Sequence, residues 1–216
     1  VEWAAGKPVT IRTLDAGGDK PIPGLTREHE SNPFLGVRGV RLSLRHPHVL
    51  SVQLRALARA SVGANLKVMI PMVTLPEELE RCRVMLERAV AELNAEGIPV
   101  ATPPLGMMVE VPAAALAVEE FEAAFYSIGS NDLIQYLSAA SRDEPELTSV
   151  ALPGTGFLRV IRGICEHGNR EGREVSLCGD LASDPLHLPA LLDCGLRTLS
   201  VAPAALAAVK ATIAKC

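Results

Sequence analysis

The sequence predicts an α/β fold of parallel strands, on two observations. Seven short apolar runs recur along the chain, and stretches of helical spacing separate most of them. The runs are Val9 to Asp15, Gly36 to Leu42, Leu66 to Met72, Leu105 to Val111, Ala124 to Ser130, Arg173 to Gly179 and Leu196 to Ala202. Each is bounded by Gly, Pro or polar residues, as strands buried on both faces are. A third observation concerns function: Arg12, Arg38, Glu110, Asn131 with Asp132, and Cys178 each stand in or just past the end of a run. In a barrel of parallel strands such positions open onto one face, where the chemistry is kept.

The clearest helix is Glu77 to Asn94, where Leu79, Cys82, Leu86, Ala89, Val90 and Leu93 form one apolar stripe. Thr74 reads as its cap with Glu77 completing a capping box, Pro76 fits the first turn, and Gly97 marks the end. Further helices are expected over Val49 to Ala60, Pro112 to Glu122, Phe157 to Glu171, Pro185 to Leu192 and Pro203 to Ile213. A (β/α)8 TIM barrel has eight units over roughly 250 residues. This chain offers seven in 216, opens without Met and reaches a strand within ten residues. The expectation is therefore an incomplete barrel whose first β/α unit lies upstream.

Hydrophobic residues make up 48% of the chain, enough for a sizeable core, and no unbroken apolar stretch reaches bilayer length. A net charge of -4 with no basic, aromatic-interleaved run argues against nucleic acid as a partner. Five cysteines without a CxxC motif or signal peptide predict a reducing, cytoplasmic setting. Cys82, Cys165 and Cys194 read as small core residues, whereas Cys178 ends a run and precedes Gly179 and Asp180. Its thiol could exchange a proton or attack an electrophile; a plain wall residue is the alternative. The five histidines fall in loops or helices and read as non-catalytic. The long irregular stretches are Lys20 to Pro33 and Ser141 to Gly156.

Glu110 and Asp132, at the ends of neighbouring runs, could share a hard cation such as Mg²⁺, which needs only one or two carboxylates when a substrate supplies phosphate oxygens. The plainer reading has Asp132 capping a helix from Leu133 and Glu110 paired with an arginine. Arg12, Arg38 and Arg142 would suit a planar anion; an internal salt bridge, such as Arg12 with Asp15, is the alternative. Gly17-Gly18-Asp19-Lys20 adds a flexible turn and an ammonium.

The segments Ile11-Arg-Thr-Leu-Asp-Ala-Gly-Gly-Asp-Lys20, Asn32-Pro-Phe-Leu-Gly-Val-Arg38, Met108-Val-Glu110, Gly129-Ser-Asn-Asp-Leu-Ile-Gln-Tyr136 and Leu177-Cys-Gly-Asp180 resemble the C-terminal barrel of Enzyme I of the bacterial phosphotransferase system. The resemblance runs in order from about Thr10 to Ile213. Pyruvate phosphate dikinase and phosphoenolpyruvate synthase share that barrel, yet the Gly-Gly-Asp-Lys and Asn-Pro-Phe-Leu-Gly segments are closer to Enzyme I.

The resemblance implies Mg²⁺-dependent transfer of the phosphoryl group of phosphoenolpyruvate to a histidine, with release of pyruvate. Residue by residue, it implies that Arg12, Arg38 and Arg142 hold phosphate and carboxylate, with Lys20 assisting. Asn131 and Asp132 would meet the substrate, Glu110 and Asp132 the metal, and Cys178 would protonate the enolate carbon. Val111, Ser130, Ser141 and Asp180 stand where the family usually has Thr, Thr, Asp and Glu. The family's phosphorylated histidine belongs to a separate N-terminal domain, and no histidine here has its sequence context. A phosphocarrier protein reached through that domain and a homodimer are the implied partners. A dikinase or synthase barrel, or a non-catalytic regulatory or dimerisation module, is the alternative.

Overall fold

The computed structural model describes residues 4, 6–27, 29–147 and 153–216. It divides into two compact units, Val1–Met107 with Glu122–Ala124, and Met108–Phe121 with Phe125–Cys216.

In the first unit, β1 (Val9–Arg12) leads through a long loop to α1 (Val40–Arg45) and α2 (Pro47–Ala60), then β2 (Leu66–Ile70), α3 (Pro76–Ala95) and the start of β3 (Leu105–Val109). The three strands pair in parallel and in sequence order, Val9 to Leu66 and Val68 to Leu105. Helix α3 keeps its expected stripe: Leu79, Cys82, Leu86, Ala89 and Leu93 are buried. Its end follows the sequence too, because Gly97 takes φ +74 and the Gly97 and Ile98 N–H groups donate to Asn94 and Leu93 oxygens, at 3.0 Å each. Its start differs from expectation. Glu78, not Glu77, receives the Thr74 and Leu75 N–H groups at 2.7 and 3.0 Å, so Leu75 is the cap residue. The Thr74 hydroxyl accepts instead from Arg41 at 3.2 Å.

The second unit holds the end of β3, α4 (Pro112–Leu116), β4 (Phe125–Gly129), α5 (Ser130–Ser138), α6 (Thr155–Glu171), β5 (Glu174–Cys178), α7 (Leu188–Asp193), β6 (Thr198–Leu199) and α8 (Leu206–Ile213). Strands β4, β5 and β6 pair in parallel, Gly129 beside Cys178 and Leu177 beside Leu199. Tyr126 on β4 donates to the Phe121 oxygen at 2.9 Å and lies 3.2 Å from His167 Nε2 of α6, which seals a polar contact within a buried face.

Within each unit the described strands pair in parallel, so the α/β class stands; a complete eight-unit barrel is not seen among the described residues. The seventh expected strand, Gly36 to Leu42, is a correction. Pro33–Leu35 forms one 3-10 turn, Gly39 takes φ +55, and α1 starts at Val40. A left-handed residue cannot sit in a regular strand, and the Val40 N–H donates to the Pro71 oxygen at 3.2 Å rather than into a ladder. The helix expected over Pro112 to Glu122 is also shorter, breaking at Ala117 into a 3-10 turn, Val118–Glu120.

The core thiols behave as read. Burial pushes the Cys82 thiol up to about 12 and the Cys165 thiol up to about 11, so both are neutral near pH 7. Because the folded values are raised, the stability linked to these thiols is intact below their ordinary range and is lost as pH climbs toward 11 to 12. Under native conditions at mildly alkaline pH, iodoacetamide is expected to modify half-exposed Cys178 and exposed Cys216 before Cys82, Cys165 and Cys194, as peptide mass spectrometry would read. Among the described residues, no helix is long and apolar enough to cross a membrane.

Candidate active site

In the first unit the end of β1 turns sharply. Gly17 and Lys20 exchange backbone hydrogen bonds at 3.0 and 3.1 Å, closing the Gly-Gly-Asp-Lys turn with Lys20 exposed. The turn lies against Arg38: a Cβ on Gly17, whose φ is +103, would stand 2.7 Å from Arg38 Cβ and 2.9 Å from the Val37 oxygen. Arg38 is 1% exposed, with its guanidinium 5.7 Å from the centre of the Phe34 ring. Asp15 Oδ2 joins the two arginines, at 3.2 Å from Arg12 Nη1 and 3.2 Å from Arg38 Nη2. The internal salt bridge weighed for Arg12 is thus present, and it includes Arg38. Asp15 Oδ1 and Thr13 Oγ1, both buried, have no hydrogen-bond partner among the described residues.

Behind this cluster stands a strained contact. Met72, just past β2, is buried and takes φ +58, and a Cβ on Gly39 would lie 2.6 Å from its own Cβ and 3.3 Å from Asp15 Oδ1. Only glycine fits there. The backbone therefore runs close enough to carry Arg38 onto Asp15.

In the second unit Glu110 follows β3 and is 1% exposed. Its carboxylate lies over the end of β4, since a Cβ on Gly129 would stand 2.7 Å from Glu110 Oε2. Helix α5 begins at the next residue, which puts Asn131 and Asp132 in its first turn, where peptide N–H groups favour negative charge. Asp132 is 6% exposed and lies 3.7 Å from Arg142 Nη1. Ala139, at φ +52, ends the helix and turns the chain toward Arg142. The Arg142 N–H donates to Gln135 Oε1 at 3.1 Å, while buried Gln135 Nε2 has no hydrogen-bond partner among the described residues.

Cys178 ends β5 beside Gly129, half-exposed. Its thiol donates to the Ile128 oxygen at 3.5 Å and is 3.8 Å from the Ser127 hydroxyl, while Ser130 Oγ donates to its carbonyl at 2.7 Å. Gly179, at φ +96, lets the chain pass so near that a side chain would strike Ser130 and Asn131. Asn131 and Asp180 are then doubly joined: the amide donates to Asp180 Oδ2 and accepts the Asp180 N–H, each at 3.0 Å.

A cavity of about 300 Å³ adjoins this cluster, lined by Asn131, Gln135, Arg142, Asp180 and His187 among others. His187 Nδ1 is 2.8 Å from Asp184 Oδ2, and the Leu186 N–H followed by that imidazole holds the Asp184 carboxyl below its usual range.

The structure therefore places Glu110, Asn131, Asp132, Arg142 and Cys178 in one unit, and in the other Arg12 at the end of β1, Lys20 on the turn that follows and Arg38 packed against that turn. Sequence reasoning gave no role to Gln135 and met Asp15 only as a possible partner of Arg12. An acid three residues past an arginine at a strand end was the available signal for Asp15. No signal pointed to Gln135. Among the described residues, no three of His, Cys, Asp and Glu form a metal cage by themselves. Glu110 and Asp132 are both buried carboxylates of the second unit, the first just past β3 and the second in the first turn of α5.

Comparison with known proteins gives the family. The PEP-utilising enzyme family, PEP-binding domain, matches residues 1–216, and the chain belongs to it. The phosphoenolpyruvate-protein phosphotransferase of Geobacillus stearothermophilus is 42% identical over 219 residues, covering 100% of this chain and 38% of that protein. A multiphosphoryl transfer protein of Xanthomonas campestris pv. campestris is 44% identical, over 96% of this chain and 25% of its own length. The chain thus spans well under half of these relatives. Among solved structures, a citrate lyase from Burkholderia xenovorans matches with a TM-score of 0.54 at 18% identity, covering 76% of this chain and 52% of that one, a likeness of fold alone.

Proposed function

We propose that this chain is the phosphoenolpyruvate-binding domain of an Enzyme I-like phosphoenolpyruvate-protein phosphotransferase. The observation that carries the reading is the meeting of Glu110 with the Gly129 to Asp132 turn, flanked by Arg142 and by Cys178 on the adjacent strand. Relatives named phosphoenolpyruvate-protein phosphotransferase, at 42% identity, and multiphosphoryl transfer protein, at 44%, support it.

Glu110 and Asp132 would hold Mg²⁺, which supplies charge neutralisation at the phosphate when bound. Arg12, Arg38 and Arg142, with Lys20 and Asn131, bind the phosphate and carboxylate oxygens. The gain over solution comes from placing fixed positive charge where the transferring group needs it. In the transfer the bond between phosphorus and the enol oxygen breaks, and the phosphoryl group passes to a histidine nitrogen of a separate domain. The enolate left behind takes a proton at its methylene carbon from the Cys178 thiol, giving pyruvate and a thiolate. The Ser127 hydroxyl, 3.8 Å from the sulfur, is placed to donate to that thiolate. A phosphocarrier protein downstream, a homodimeric assembly and a cytoplasmic setting belong to the same reading.

Titrating phosphoenolpyruvate into the full-length protein with and without Mg²⁺ tests this. Metal-dependent uptake with pyruvate release is the expected result, and Cys178→Ala should slow pyruvate release by about 10²- to 10⁴-fold, the range for a lost general acid. Uptake without any pyruvate would point to a regulatory module, and wild-type pyruvate release from Cys178→Ala would remove the thiol from the mechanism.

A further inference from the structure

Two guanidinium groups do not gather of their own accord. Each is permanently charged, and placing one beside the other costs more as water is excluded. In the first unit that juxtaposition is achieved around a single oxygen: Asp15 Oδ2 lies 3.2 Å from Arg12 Nη1 and 3.2 Å from Arg38 Nη2. The side chains of Asp15 and Arg38 are each 1% exposed, whereas Arg12 is 35% exposed. One arginine is thus fixed within the fold and the other reaches outward, with one carboxylate between them.

We propose that Asp15 is a positioning residue for the substrate arginines: it sets the separation and direction of both guanidiniums before the ligand arrives, and does so without touching the ligand. The inference rests on phosphoenolpyruvate being the ligand, as proposed above.

Three features of the surroundings fit a clamp better than a simple surface ion pair. Asp15 is held in depth, with Gly39 so near its Oδ1 that a Cβ there would stand 3.3 Å away. The neighbouring Leu14 N–H donates to Gln53 Oε1 of α2 at 3.0 Å, which ties the turn to the helix layer. Finally, Asp15 spends one oxygen on both arginines while its other oxygen, Oδ1, has no hydrogen-bond partner among the described residues. A carboxylate optimised for stability would use both oxygens in a two-pronged contact with one arginine. Sharing a single oxygen is less favourable for either pair and leaves each guanidinium with N–H donors directed elsewhere.

A ligand carrying both phosphate and carboxylate then meets two forks already converged, and little ordering of long side chains remains to be done on binding. Removing the clamp should chiefly weaken binding. Turnover at saturation should suffer less, because a bound ligand itself draws the arginines together.

The test is calorimetric titration of the full-length protein with phosphoenolpyruvate in the presence of Mg²⁺, alongside pyruvate release at saturation. Asp15→Asn is expected to raise Kd by about 30-fold while saturating turnover falls by only a few-fold. Asp15→Glu keeps the charge and guards against a variant that fails to fold; displacing both forks by one methylene should still raise Kd by about tenfold. In an Arg12→Met background the loss from Asp15→Asn should shrink, since one of the guanidiniums it steers is gone. Full multiplication of the two losses, or a wild-type Kd in Asp15→Glu, overturns the clamp. An unaltered protein that takes up no phosphoenolpyruvate would overturn the ligand reading itself, an outcome distinct from normal uptake by the Asp15 variants.

Discussion

Glu110→Gln is expected to lower Mg²⁺-dependent pyruvate release from phosphoenolpyruvate by on the order of 10³-fold, with the fold retained. The substitution keeps size and shape and removes one negative charge, so it separates charge from packing. Glu110 is 1% exposed and its carboxylate lies over Gly129, the residue from which α5 and Asp132 spring. An amide oxygen is a poorer ligand for a hard cation than a carboxylate. Losing roughly 4 kcal/mol of charge stabilisation in the transition state corresponds to the stated factor, at about 1.4 kcal/mol for each factor of ten. Pyruvate release measured against Mg²⁺ concentration gives the check: the variant should need far more metal and still not reach the parent rate. Parent activity at the parent's metal requirement would remove Glu110 from the metal site.

Gly17→Ala should cost about 3 kcal/mol, lowering Tm by roughly 6–12 °C, and should abolish tight phosphoenolpyruvate binding. Two penalties add at this position. The φ of +103 is unfavourable for any residue with a side chain, and the new Cβ would meet Arg38 Cβ at 2.7 Å and the Val37 oxygen at 2.9 Å. Neither neighbour is the loose end of a flexible chain, so the backbone carrying Arg38 must shift, and the Arg38 contact with Asp15 shifts with it. Gly24→Ala is the control, because Gly24 has φ +77 but nothing within 4 Å of the added carbon. It should cost about 1 kcal/mol, the conformational penalty alone. Differential scanning calorimetry of the two variants thus isolates the steric part, and equal losses would show that the turn does not press on Arg38.

Six of the seven expected strands were legible because buried parallel strands are written as short apolar runs, and β1 to β6 all fall within such runs; the pairing of β1 directly with β2 was not, since a further strand was expected between them. Gly36 to Leu42 defeated that logic. Val37 and Val40 gave it an apolar reading, but Gly39 is present for its left-handed backbone and for the absence of a Cβ against Met72, and neither requirement shows in hydrophobic patterning. Arg38 was accordingly chosen as a site residue for the wrong structural reason: it precedes a helix and is buried, and does not end a strand. The α3 boundary slipped because Glu77 and Glu78 are equally good candidates on paper, and only the approach of the Glu78 carboxylate to two N–H groups decides between them.

The candidate site was legible where chemistry contradicts burial. Glu110 and Asp132 stood out as acids with no apolar reason to be there, and both are indeed buried polar groups at element ends. Asp15 belongs to the same set, but its position three residues past Arg12 marks it only as a possible salt-bridge partner, while the adjoining Gly17-Gly18-Asp19-Lys20 reads as an ordinary turn. Gln135 lies on α5 at a position where helical spacing gives no cue, and its bond to the Arg142 backbone depends on Ala139 bending the chain back. Such returns are set by tertiary path.

The contact between Gly39 and Met72 carries one more implication, for heredity and not for chemistry. Two places 33 residues apart, one forced to be the smallest amino acid and the other holding an awkward backbone, constrain each other's substitution. Any side chain at position 72 carries the same Cβ, so glycine at 39 would be expected to persist whichever residue stands opposite it.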